Sequence, residues 1–134
     1  METYRLPFEI SGLYAGCAKL DGMIIVSAEH LLLEYRLTDT LIRAFNGELQ
    51  TRRVAWTELE RAEHGNGFFS PWLVLTARTM STFDKLPSKN PGQLRLSIPW
   101  KQRLRLRTVT SEINLLLSYQ EADRFIGRLP GASP

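Results

Sequence analysis

Apolar and polar residues alternate along much of the chain, and the longest alternating stretch runs from Gln93 to Thr108. A two-residue period is that of a β-strand with one buried and one exposed face. Because the parity never changes, this stretch is either one long strand or a hairpin with an odd number of loop residues. Pro99 favours the hairpin, since proline cannot donate to a ladder. The buried face is predicted at the even positions Leu94, Leu96, Ile98, Trp100, Leu104 and Leu106.

Shorter stretches predict the remaining strands, at residues 8–19, 23–26, 31–38, 49–61, 72–80 and 113–119. Asp21 and Gly22 predict a tight turn between the first two, because Asp-Gly tolerates the positive φ of a hairpin turn. Asn46 and Gly47 predict another turn. The segment Trp56–Glu63 is compatible with either a strand or a short helix.

The last stretch of the chain has the pattern of an amphipathic helix. Ser118 and Glu121 form a capping box, and Pro130 and Gly131 are stop signals. The apolar stripe of this helix is predicted at Tyr119, Ala122, Phe125, Ile126 and Leu129. We therefore expect a mainly β fold, in which about seven antiparallel strands form a small barrel or two orthogonal sheets closed by one C-terminal amphipathic helix.

Length and composition bound the class of protein. At 134 residues, with 43% hydrophobic and 23% charged residues, the chain fits one globular domain and neither a disordered nor a fibrous class. The single cysteine, Cys17, excludes an internal disulfide. No basic leader followed by an apolar segment opens the chain, and no apolar run reaches the length of a membrane span. We therefore expect a cytoplasmic protein.

The net charge of +3 is distributed very unevenly. Residues 1–84 carry −3 and residues 112–134 carry −1, whereas residues 85–111 carry +7 and contain no acidic residue. A basic stripe of this kind suits an anionic partner. The alternative is a solvated face that carboxylates of adjacent strands neutralise. The candidate ligand-binding residues are Arg95, Lys101, Arg103, Arg105 and Arg107, together with Trp100. The alternation favours a buried Trp100, but this residue also lies at a predicted turn, where an exposed indole would stack on a base or insert at a membrane interface.

Motifs for catalysis or metal binding are not evident in the sequence. His30 and His64 do not have metal-ligand spacing relative to each other or to Cys17. Glu60 and His64 are four residues apart, but an exposed pair explains them better than a general base does. The glycine-rich run at 65–67 lacks the lysine of a phosphate-binding loop. We therefore expect no catalytic residue, no metal and no cofactor.

The order of elements resembles that of pleckstrin-homology-like (PH-like) barrels, above all small bacterial proteins of this type. Three stretches carry the resemblance: LDGMIIVSAEHLLLEY at Leu20–Tyr35, VAWTELERAEH at Val54–His64 and QEADRFIGRL at Gln120–Leu129. The resemblance implies one domain over residues 1–134, with the barrel and its helix at 5–129 and a short tail at 130–134. It also implies a scaffold, oligomerisation or peptide-binding role as readily as a lipid-binding one.

These observations favour a non-catalytic binding or scaffold module whose surface docks a protein, a peptide or an anionic membrane. The alternative is a basic barrel that binds single-stranded nucleic acid, with phosphates on the cations from Arg95 to Arg107 and a base stacked on Trp100. The pattern also leaves open a third kind of partner, namely further copies of the chain that assemble through an exposed sheet edge.

Overall fold

The computed structural model describes residues 3–13, 16, 18–39, 48–66, 70–84, 86–88 and 90–128, with the side chains of 39 and 124–128 excepted. Within these residues, seven antiparallel strands form one sheet and a long helix follows them, as predicted. The strands are β1 (Tyr4–Leu13), β2 (Ala18–Val26), β3 (His30–Asp39), β4 (Gln50–Ala55), β5 (Leu59–Asn66), β6 (Pro71–Ala77) and β7 (Gln93–Ser97). The helix is α1 (Arg103–Arg128), and two 3-10 helices lie at Trp56–Glu58 and Trp100–Gln102.

Neighbouring strands follow the order β4-β3-β2-β1-β7-β6-β5, so β4 and β5 are the edges of the sheet in the described residues. Most neighbours pair over many residues, but β1 and β7 share a single ladder pair, Glu9 with Ser97. The same register would next place Pro7 opposite Pro99. Neither proline has an N–H to donate, so the ladder between β1 and β7 ends there.

The core lies on one face of the sheet, where all seven strands bury residues, and α1 covers part of that face. Alternate residues of the strands point into it, including Leu6 and Phe8 from β1 and Leu94 and Leu96 from β7, all buried. The helix packs mainly against β5. Its buried apolar residues recur at helical spacing along one face, namely Leu106, Val109, Ile113, Leu116 and Leu117.

Asn114 fastens the helix to the edge strand β5. Its side-chain oxygen accepts the backbone N–H of Ala62 at 3.1 Å, and its amide nitrogen donates to the Ala62 carbonyl at 3.0 Å. Both backbone groups of one residue point to the same side of a strand, so a single carboxamide satisfies both. The pair fixes the position of α1 along β5.

The turn predicted at Asp21 and Gly22 is wrong. Both residues lie inside β2, where Gly22 pairs with Phe8 of β1 and with Tyr35 of β3. A β-carbon at Gly22 would lie 2.5 Å from Cζ of Phe8. Glycine is therefore required at this position for close packing under an aromatic ring, rather than for positive φ.

The strands predicted at residues 101–108 and 113–119 are also wrong, because both segments belong to α1. Leu104, predicted in the core, is 66% exposed, whereas Leu106 is buried. Ser118 is not an N-cap, since its hydroxyl donates to the Asn114 carbonyl one turn earlier in the same helix.

The segment Trp56–Glu63 combines both of its predicted conformations. A 3-10 helix over Trp56–Glu58 leads into β5, and Trp56 is buried with its indole N–H on the Ser27 carbonyl at 3.0 Å. Predictions for Cys17, the turn at 46–47 and the tail at 130–134 lie outside the described residues.

Replacing Thr76 with valine is expected to raise the free energy of unfolding by about 1 kcal/mol. The Thr76 hydroxyl is buried in β6 without a hydrogen-bond partner, and valine keeps its shape while removing that polar atom. Urea unfolding measures the change. The matched control is Thr110→Val, because the Thr110 hydroxyl donates to the Leu106 carbonyl at 2.8 Å. If Thr110→Val raised the free energy of unfolding as much as Thr76→Val does, the missing hydrogen-bond partner of Thr76 would not explain the gain.

Candidate anion-binding corner

Five of the six predicted site residues lie together after the end of β7, in the 3-10 helix at Trp100–Gln102 and at the start of α1. Trp100 and Lys101 belong to the 3-10 helix that follows Pro99, and the three arginines lie in the first turns of α1. All five side chains are exposed. We call this region, with the exposed Leu104 between the arginines, the basic corner, and its members are Trp100, Lys101, Arg103, Leu104, Arg105 and Arg107.

Two cations of the basic corner, Arg103 and Arg105, donate to neutral carbonyl groups rather than to carboxylates. One guanidinium N–H of Arg103 donates to the Trp100 carbonyl at 3.1 Å, and one of Arg105 donates to the Arg5 carbonyl of β1 at 3.2 Å. Ion pairs elsewhere in the described part of the chain include those of Lys19 with Glu9 and Asp21, and of Arg61 with Glu60 and Glu63. Neutralisation of the basic stripe by neighbouring carboxylates therefore has no support among these residues.

The start of α1 adds to the positive potential of the basic corner. The amino-terminal end of a helix carries a partial positive charge, and arginine there is unfavourable by roughly 0.3–1 kcal/mol. The first turn holds no acidic side chain to offset this, and Pro99 provides no side-chain cap to the preceding 3-10 helix. An external anion would relieve both the helix end and the arginines.

Two large apolar side chains are exposed among these cations. Trp100 is 57% exposed and Leu104 is 66% exposed. Successive helix residues are rotated by about 100°, so Leu104 points away from the core and has Arg103 and Arg105 on opposite sides. The Arg103 guanidinium lies 4.5 Å from the centre of the Trp100 ring, in a cation-π contact that covers one face of the indole.

Arg95, the sixth predicted residue, lies on a different element. It stands on β7, where its guanidinium lies 5.0 Å from the ring centre of Trp72 on β6. The five candidate cations are thus divided, because Arg95 is on the sheet and the other four are on helical segments. Leu104 is the one member of the basic corner that was not predicted as a site residue. The helical spacing of the buried residues from Leu106 onward excludes Leu104 from the core and could have identified it.

The residues considered for catalysis or metal binding remain apart. His64 and Glu60 are exposed on β5, and His30 begins β3. No group of three or more histidine, cysteine, aspartate or glutamate residues that could hold a metal ion occurs in the described residues. Over the same residues, no helix has both the length and the apolar character needed to cross a membrane.

Comparison of the chain with protein-family models, with curated proteins and with solved structures finds no match in any of the three.

Proposed function

We propose that this chain is a non-catalytic, PH-like docking module that attaches to an anionic membrane surface through its basic corner. One observation carries the proposal: four cations without a carboxylate partner among the described residues surround an exposed tryptophan and an exposed leucine. The sheet order and the C-terminal helix support the PH-like part of the proposal. A cytoplasmic location, where anionic lipid headgroups are abundant, belongs to the same proposal.

The two kinds of side chain in the corner contribute different energies. An anionic membrane attracts each nearby lysine or arginine by about 1 kcal/mol, so four cations contribute roughly 4 kcal/mol at low salt. Removing Leu104 from water adds about 1.5 kcal/mol that salt does not screen. Trp100 adds an amphipathic ring of the kind that favours the headgroup region. The attachment is therefore expected to weaken with salt without vanishing.

Single-stranded nucleic acid is the second candidate partner, favoured by the exposure of the Trp100 side chain. A base stacked on an exposed aromatic contributes about 1–3 kcal/mol, and the four cations would follow the phosphates. Leu104 distinguishes the two candidates, because an aliphatic side chain inserts among lipid acyl chains but forms no stacking contact with a base.

The test is co-sedimentation with vesicles of phosphatidylserine and phosphatidylcholine, compared with vesicles of phosphatidylcholine alone. Replacing Arg103 and Arg107 with glutamine is expected to weaken binding to the anionic vesicles by about 30-fold, because two cations are lost. The matched control replaces Arg53 and Arg78 with glutamine. Both arginines are exposed, Arg53 on β4 and Arg78 in the segment after β6. Leu104→Ser is expected to weaken binding by about tenfold at any salt concentration.

Equal binding by the wild type and the Arg103, Arg107 variant would refute the docking surface, as would an equal loss in the Arg53, Arg78 control. Binding of a single-stranded oligonucleotide that needs Arg103 and Arg107 but tolerates Leu104→Ser would favour the second candidate. Self-assembly of the chain stays a prediction, and light scattering on a sizing column checks it.

A further inference from the structure

The outer side of α1 carries a regular series of exposed residues that the core does not use. We call this series the outer seam, and its members are Leu104, Thr108, Ser111, Leu115, Ser118 and Ala122. At about 100° per residue they all lie within an arc of about 80°, opposite the buried Ile113. Their spacings alternate between four and three residues, as do those of the residues through which two helices pack in a coiled coil.

Large apolar side chains are present in both halves of the outer seam. Leu104 is 66% exposed and Leu115 is 44% exposed. Tyr119, which follows Ser118 on one flank of the seam, is 60% exposed. The other members of the seam have small side chains, which let a second helix approach closely. The outer seam therefore has the character of a helix-packing surface, and the described residues of the single chain leave it exposed.

The charges along the helical segments indicate which partner fits the outer seam. Residues 101–107 contain four cations and no carboxylate, whereas residues 108–123 contain three carboxylates and no cation. Arg124 and Arg128 come after the last residue of the seam. Two antiparallel copies of this helix would bring the basic half of each beside the acidic half of the other, whereas two parallel copies would bring the basic halves together. The antiparallel arrangement also brings opposite ends of the two helix dipoles together.

We propose that the outer seam pairs with the outer seam of a second copy of this chain, and that the two helices run antiparallel about a two-fold axis level with Ile113. In this register, Leu104 faces Ala122 of the second copy. Ser111 faces Leu115 of the second copy, so the two Leu115 side chains lie on either side of the axis, each beside a small residue.

The same register brings opposite charges together beside the outer seam. Arg107 and Glu121 are both exposed and lie two heptads apart on one flank of the seam. In an antiparallel pair the same flank of both helices meets, so Arg107 lies near Glu121 of the second copy. The two-fold symmetry makes this contact occur twice. On the other flank, Tyr119 faces Arg105 of the second copy, which suits a cation-π contact.

The pairing would use two members of the basic corner, because it covers Leu104 and engages Arg107. The dimer and the membrane-attached form therefore exclude each other, and anionic vesicles are expected to dissociate the dimer. This consequence rests on the proposed function, whereas the pairing itself does not. Pairing is measured without lipid, and vesicle binding is measured at protein concentrations below those that give the dimer, so the two proposals are tested separately.

Sedimentation equilibrium of the full chain tests the pairing over about 1–500 μM, the range expected for a small helix–helix interface. We expect a reversible monomer–dimer equilibrium that weakens as salt is added. Leu115→Ser is expected to weaken the dimer about 100-fold, because the apolar contact is lost on both copies. The matched control is Met80→Ser, which is expected to dimerise like the wild type, since Met80 is 75% exposed but lies in the segment after β6.

The antiparallel direction is tested by charge exchange. Arg107→Glu and Glu121→Arg are each expected to weaken self-association about tenfold, because each places like charges together at both symmetric contacts. An equimolar mixture of the two variants is expected to regain the wild-type affinity, since opposite charges then meet again. In a parallel pair Glu121 would be remote from Arg107, and Glu121→Arg would leave self-association unchanged.

The proposal is overturned if the wild type stays monomeric over the whole concentration range, or if mixing the two charge variants restores no association. Dimerisation that Leu115→Ser does not weaken would place the contact on another surface, such as a sheet edge, and would also overturn it. Circular dichroism verifies that each variant keeps its fold. Leu115 lies outside the basic corner, so Leu115→Ser is expected to bind anionic vesicles as the wild type does. A wild type that dimerises without binding vesicles would refute the proposed function alone.

Discussion

Replacing Ile113 with alanine is expected to lower the free energy of unfolding by about 3 kcal/mol. Ile113 is fully buried where α1 packs on the sheet, so its truncation leaves a cavity that the surrounding strands cannot fill. Urea unfolding followed by tryptophan fluorescence measures the loss, with Trp56 as a buried reporter in the same core.

The matched control for this prediction is Leu115→Ala. Leu115 is 44% exposed on the outer side of α1, and its truncation is expected to cost about 0.5 kcal/mol. A strand would place Ile113 and Leu115 on one face and make the two losses similar. Similar losses would therefore contradict the helix, whereas a ratio of several-fold supports it.

Replacing Gly22 with alanine is expected to lower the free energy of unfolding by about 3 kcal/mol. The added β-carbon would overlap the backbone oxygen of Glu34 on β3 and the ring of Phe8 on β1. Phe8 is buried and the Glu34 oxygen is part of the sheet, so neither can move without displacing a strand. Chemical unfolding of the variant measures the effect.

Gly65 provides the comparison, because it also lies under an aromatic ring. The three atoms nearest to its added β-carbon all belong to the side chain of Trp72, which is half-buried and is not held in the core as Phe8 is. Gly65→Ala is therefore expected to cost about 1 kcal/mol and to change the tryptophan emission. In a Phe8→Leu background, part of the Gly22→Ala loss should return, and strictly additive losses would show that the ring is not the obstacle.

The strands were predictable where a two-residue period coincided with a buried face. Leu94, Leu96 and Ile98 are buried as the alternation predicts. The same period continues from Lys101 to Thr108, but there it carries no structural meaning, because helical residues two apart lie on nearly opposite sides. The helical spacing of the buried residues from Leu106 to Leu117 was the informative signal. Other apolar residues lie between them in the sequence and made this spacing hard to recognise.

The basic corner was predictable in its chemistry but not in its shape. The excess of cations between Arg95 and Arg107 depends on composition alone. It is therefore the same whether the segment forms the predicted strand or the observed helix. The separation of Arg95 from the other cations, and the exposure of Leu104, follow from the position at which β7 ends and helical structure begins. Local pattern does not fix that position, since Pro99 is compatible with a hairpin loop and with a helix start.

The carboxamide of Asn114 has a consequence for the behaviour of the chain at high concentration. It occupies the N–H and C=O of Ala62, the two groups by which a strand from another molecule would begin to pair with β5. The carboxamide thus makes the two hydrogen bonds that a peptide unit of a neighbouring strand would make with Ala62. A strand that pairs with β5 at Ala62 must first break both of these bonds, so extension of the sheet at this point is opposed by the same contact that positions the helix.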